Sequence, residues 1–297
     1  MLRIFVYSLL GYVIAAGCKK DLANTVAQDN YQGQEKVYQV SYSMKGFGIT
    51  DKSSLTNKET AANDYLDYLF YGAYDSTGKL VRKIEQAKRA GTEFGTISNS
   101  LKSGNYTIVL AATKDSILYT SGVDQLNTLQ LSGQFPQDIF YKKFSLNIAD
   151  RDTSFDNIRL DRLTGLLEIV LTDTVTYTNI SMLVTSIDNS PGFYNVAGDS
   201  LTGTIATYHE YHSLLFGSQD PSTFFDGFYW GTNQPLTLKI IALDWSRHFY
   251  MQRIIQNVHI YPNKKTVLTG NFMSGTETST ASRISYSVDK RTVTQHF

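Results

Sequence analysis

The sequence has little of what usually announces an activity. It carries a single cysteine, Cys18, so no disulfide can form within the chain. Only five prolines punctuate 297 residues, few for a chain that reads mostly as strand and loop. Neither sign of charge is in excess, with 27 lysines and arginines against 27 aspartates and glutamates. That balance removes the basic surplus a nucleic-acid binder needs to displace counterions. No nucleophile elbow, phosphate-binding glycine loop or dinucleotide fingerprint occurs, so the expectation is a protein that is not an enzyme and takes no cofactor. The longest apolar run, Ile4–Ala16, falls short of the roughly 20 residues that span a bilayer as a helix.

That short run is informative in its own right. Arg3 precedes it as a brief positive region, and Ala15-Ala16-Gly17-Cys18 follows it. A charged start, a short apolar stretch and small residues mark a secretory signal, to be excluded from the fold. Ending on cysteine, it resembles a bacterial lipobox, which implies cleavage before Cys18 and a diacylglycerol on the thiol. Residues 1–17 are then the signal peptide, and 18–36 the lipidated cysteine with a polar tether. Two or more acyl chains hold a protein at a membrane where one is marginal, so outer-membrane lipid is an expected partner.

Aromatic residues are plentiful, with 20 Tyr and 16 Phe, and the pattern beyond the tether is β almost throughout. Tyr38, Val40, Tyr42 and Met44 alternate with Val37, Gln39, Ser41 and Ser43, one apolar face at a period of two. Asp75-Ser76-Thr77-Gly78 turns the apolar segment before it into Lys79-Leu80-Val81, a hairpin with glycine where positive φ is needed. Tyr106–Ala112 is a continuous apolar run of the sandwich-core kind. Strands are also expected over 144–148, 160–171, 179–187, 236–243, 249–260 and 265–272. Short helices are allowed only locally, over 83–90 and 122–129. The expected fold is mainly β in two domains, 37–155 and 156–297.

Four segments carry a resemblance. They are Tyr68–Val81, Leu101–Thr107, Leu160–Ile169 and Asn263–Phe272. In order, and behind the lipobox, they resemble the fimbrillin and FimB-type anchor group of Bacteroidetes type V pili. The resemblance implies two transthyretin-like β-sandwiches, export as a lipoprotein, pilin subunits as partners and a place in the surface fimbrium. It implies no active site. Polymerising pilins of this group are thought to lose lipid through an arginine-directed protease, yet no arginine lies between Cys18 and Arg82. That favours a subunit that stays lipidated, an anchor, over a minor or tip pilin.

Strand addition is the contact expected between such subunits. Ile284, Tyr286 and Val288 alternate with serines behind a polar linker, so 283–297 is a candidate donor strand. The same pattern suits a strand paired within its own domain. Phe225, Tyr229 and Trp230 form a candidate stacking platform for a glycan, with core packing as the alternative. His209 and His212 are three apart where a zinc helix needs four. The acidic stretch Asp150–Asp161 lacks the glycine and glutamate of a calcium loop. No metal site is expected.

Overall fold

The computed structural model describes residues 36–46, 65–89, 93–115, 117–132, 137–172, 180–204, 208–213, 223–232, 234–273, 278–280, 283–286 and 292–296. Among the described residues, ten strands precede residue 163. They are β1 (Val37–Gly46), β2 (Tyr68–Tyr74), β3 (Leu80–Ala87), β4 (Thr96–Lys102), β5 (Gly104–Thr113), β6 (Thr120–Ser121), β7 (Gln130–Ser132), β8 (Ile139–Ile148), β9 (Thr153–Arg159) and β10 (Asp161–Arg162). Twelve follow it: β11 (Thr164–Leu171), β12 (Met182–Asp188), β13 (Pro191–Asn195), β14 (Ser200–Thr204), β15 (Tyr208–Ser213), β16 (Thr223–Trp230), β17 (Leu236–Leu243), β18 (Phe249–Val258), β19 (Lys265–Gly270), β20 (Thr278–Thr280), β21 (Arg283–Tyr286) and β22 (Thr292–His296).

The first sandwich packs a three-stranded sheet, β4-β1-β9, on a five-stranded one, β10-β8-β5-β2-β3. Side chains of a strand alternate between faces, and the inner set of Leu69, Tyr71, Ile108, Leu110, Phe140 and Leu146 meets Val40, Tyr42 and Ile97. The second sandwich packs β16-β11-β19-β22-β21 on β15-β12-β17-β18-β20. Its core takes Leu167 and Ile169 from β11, Leu183 and Ile187 from β12, and Leu236, Leu238, Ile240 and Ala242 from β17. The fold is thus mainly β, as expected.

Why β2 and β5 read as unbroken apolar runs is explained by a third core. A four-stranded sheet, β14-β13-β7-β6, draws β6 and β7 from the first half and β13 and β14 from the second. Beneath it lie Phe70, Tyr74, Val109, Ala111, Ile139 and Tyr141 from the outer face of the first sandwich, together with Tyr194, Val196 and Trp230 from beyond residue 163. A sheet buried on both faces needs apolar residues at every position.

Two expectations are corrected. Residues 83–87 belong to β3, paired along its length with β2, and 122–129 form turns rather than a helix. Pairing with an apolar neighbour overrides the modest helix propensity of Lys-Ile-Glu-Gln-Ala. Strand β9 runs parallel to β1 and packs Phe155 and Ile158 against the first core. The chain passes from one sandwich to the other at Leu163: Arg162 pairs with Phe140 in the first, and Thr164 with Trp230 in the second.

That crossing point holds a buried charge pair. Arg162 Nε and Nη2 donate to the two carboxylate oxygens of Asp138 at 2.5 and 2.7 Å. Thr164 Oγ1 donates to Asp138 Oδ1 at 2.9 Å, and the Tyr65 hydroxyl to Oδ2 at 2.5 Å. The guanidinium also lies over the rings of Phe228 at 4.8 Å and Phe140 at 5.6 Å. Next to it, Gly165 allows a close approach: a Cβ there would sit 2.3 Å from the Tyr261 carbonyl oxygen, so β11 passes under the 261–264 turn only without a side chain.

Candidate subunit interface

A protein built of sheets offers partners its unpaired edges. In the first sandwich β3 ends its sheet, and its edge is mostly exposed and carries Arg82, Lys83 and Glu85. Such charges discourage another chain from adding on. In the second sandwich β16 and β21 end one sheet, and β15 and β20 the other, among the described strands.

Ile284 and Tyr286 lie on β21, which pairs antiparallel with β22 of the same chain. Val288 lies outside the described residues, as does Cys18. β22 in turn runs parallel to β19. It is fastened by Gln295, fully buried, whose side-chain oxygen accepts from His259 N at 3.3 Å and whose amide donates to His259 O at 3.0 Å. The C-terminal segment therefore completes the second sandwich and leaves β21 at the rim.

Two aromatic residues of β16, Tyr229 and Trp230, are buried. Tyr229 packs in the second core, and Trp230, 3% exposed, stacks on Tyr194 with ring centroids 6.2 Å apart. Neither ring offers a free face to a sugar, because both fill space between sheets; the Phe225 side chain lies outside the described residues. Exposed aromatics stand elsewhere, at the β17–β18 turn, where Trp245, Phe249 and Tyr250 are all solvent-facing. Asp244 shapes that turn by accepting from Ser246 N and His248 N, each at 2.8 Å, bonds that hold its carboxyl below its ordinary pKa. A Trp in a turn of polar residues was the available signal for this tip.

Among the described residues, no group of three or more His, Cys, Asp or Glu comes together as a metal site. The acidic stretch runs into β9, and His209 and His212 lie on β15.

A second charged tie joins the halves at Asp199. Lys143 Nζ approaches its carboxylate at 2.7 Å, and the hydroxyls of Tyr141 and Tyr194 donate at 2.9 and 3.3 Å. Burial, with Asp199 beside them, raises both tyrosine hydroxyls, so they remain donors. Burial works against the Asp199 carboxylate, but hydrogen bonds from Lys143 and Tyr141 outweigh it and its pKa is lowered. A depressed native pKa stabilises fully above the unfolded value, near 3.9, and that contribution is lost as pH falls through the native one. Melting temperature is therefore expected to drop more steeply below about pH 4 in the wild type than in Asp199→Asn. Equal acid sensitivity in the two would contradict the tie.

A family model for fimbrillin-A associated anchor proteins, Mfa1 and Mfa2, matches residues 71–290. This chain belongs to that family. The match opens inside β2 and closes beyond β21, taking in most of both sandwiches. A candidate adhesin from Bacteroides ovatus has a similar structure, with a TM-score of 0.53 at 11% identity over 80% of this chain and 88% of that one. A candidate polysaccharide-binding protein from Bacteroides thetaiotaomicron has a TM-score of 0.50 at 13% identity, over 72% and 79%. The fimbrial anchor protein Mfa2 from Porphyromonas gingivalis has a TM-score of 0.46 at 12% identity, over 73% and 82%. At these identities the likeness is one of fold. No curated protein matches the sequence. The kinship with fimbrial anchor proteins expected from the four segments holds, and membership ties the chain to fimbriae at the cell surface.

Proposed function

We propose that this protein is a non-enzymatic outer-membrane lipoprotein that anchors a fimbrial filament or takes part in its assembly. The family match over residues 71–290 carries this reading. Cys18 supplies the lipid attachment, and the lack of arginine between Cys18 and Arg82 favours a subunit that keeps its lipid. Contact with a pilin subunit is made by strand addition at the rim of the second sandwich. Main-chain hydrogen bonds provide affinity there, and alternate side chains provide register. The support is an asymmetry of edges: β3 is guarded by charge, while β21 ends its sheet with Arg-Ile-Ser-Tyr.

A photo-crosslinker placed on Ser285→Cys in β21 is expected to capture a pilin in assembled filaments. The same reagent on Lys83→Cys in β3 is expected to capture none. Equal capture at both positions, or capture at neither, rejects strand addition at β21.

A further inference from the structure

The outer face of the first five-stranded sheet is covered along only part of its length. The register sets Val109 opposite Lys143 and Ala111 opposite Tyr141, and Val109, Ala111 and Tyr141 are buried under the small sheet. On the same face, toward the start of β5, Asn105 stands opposite Asn147 and Thr107 opposite Ser145. These two polar pairs floor an open cleft of about 630 Å³, inside the roughly 300–1,000 Å³ of small-ligand sites.

The walls are built rather than loose. On one side the 75–78 turn is tied to the 124–127 turn: Leu126 N donates to Gly78 O at 2.7 Å and Leu80 N to Asp124 O at 3.0 Å. Gly78 takes φ +81°, as the turn demands. On the other side Lys143 Nζ donates to the carbonyls of Val196 and Ala197 at 2.8 and 3.0 Å, fixing the turn whose Ala197 faces the cleft. Preorganised walls lower the cost of ordering on binding.

The lining selects the ligand's chemistry. Among the described residues no cationic side chain lines the cleft, which disfavours phosphates and acidic ligands. Its one carboxylate, Asp75, already accepts at Oδ1 from Thr77 N, Thr77 Oγ1 and Lys79 N. Asn147 Nδ2 donates to Asn105 Oδ1 at 2.6 Å. That bond orients both amides and leaves the Asn105 NH₂ to donate and the Asn147 carbonyl to accept. The hydroxyls of Thr107 and Ser145 do either. Neutral groups that both donate and accept, arranged on a flat floor beside the apolar Leu126, match adjacent sugar hydroxyls. We propose that this cleft binds one or two units of a neutral saccharide.

The proposal is independent of the fimbrial role. The full chain is to be screened on an array of short neutral and acidic oligosaccharides, and the best neutral hit titrated by calorimetry. Three variants accompany the wild type: Asn105→Ala with Asn147→Ala, Ser145→Trp to fill the cleft, and Trp245→Ala at the exposed turn. Two lost hydrogen bonds of about 1 kcal/mol each predict a roughly ten-fold or greater loss of affinity in the amide variant. Ser145→Trp is expected to abolish binding and Trp245→Ala to leave it unchanged, with melting temperatures preserved throughout. Binding only to acidic oligosaccharides, binding to none, or binding lost in Trp245→Ala and kept in the cleft variants overturns the proposal.

Discussion

Arg162→Ala is expected to destabilise the protein by about 3–5 kcal/mol, the cost of leaving a buried charge without its partner. The Asp138 side chain is 1% exposed and its two oxygens accept from the guanidinium in a bidentate pair. Thr164 and Tyr65 also donate to Asp138, but neither carries charge. Arg162→Lys is expected to recover only part of the loss, since an ammonium cannot reproduce the planar fork or its stacking between Phe140 and Phe228. Asp138→Leu combined with Arg162→Met removes both charges and is expected to cost much less than Arg162→Ala. Urea unfolding of the four proteins measures this. A single-variant loss below about 1 kcal/mol would mean the pair is solvated rather than buried. Because Arg162 and Thr164 flank the point where the chain changes sandwich, the pair fixes that passage as well as stabilising it.

Trp230→Ala should cost a similar amount, about 3–5 kcal/mol, through loss of packing and the cavity left behind. Trp230 belongs to β16 of the second sandwich but is stacked on Tyr194 in the core beneath the small sheet, a cluster that also holds Tyr74 and Val109 of the first sandwich. Removing it weakens an apolar cluster to which both halves contribute. Trp245→Ala serves as the control, expected within about 0.5 kcal/mol because that ring is more than half exposed. The chain has only these two tryptophans, so each variant also isolates the emission of the other. Trp245→Ala should leave a blue-shifted signal, and Trp230→Ala a solvent-exposed one. If Trp230→Ala costs no more than Trp245→Ala, the shared core does not hold the halves together.

The strands most visible in the sequence are those with one face on a core and the other near solvent. β17 occupies 236–243 and alternates buried and half-buried residues at every step. β1 shows the same period, and the Asp75–Gly78 turn has its glycine at positive φ. β9 was hidden because a strand whose polar residues face water has almost no apolar period: Thr153–Arg159 is largely exposed and pairs with β1 more than a hundred positions earlier. Tyr229 and Trp230 were legible as apolar but not as inward, since composition does not say which side of a strand another sheet will cover. The polar cleft left no local signal at all. Asn105 and Asn147 become neighbours only through the register of β5 and β8.

The proposed role is to hold a fimbrial filament to the cell. It is tested most directly by deleting the gene in its host and comparing filaments on cells with filaments shed into the medium, with the wild-type gene restored as control. Filaments are expected to detach and accumulate in the medium, with recovery of cell-bound filaments on complementation. Filaments of unchanged length that stay on the deletion strain would contradict it.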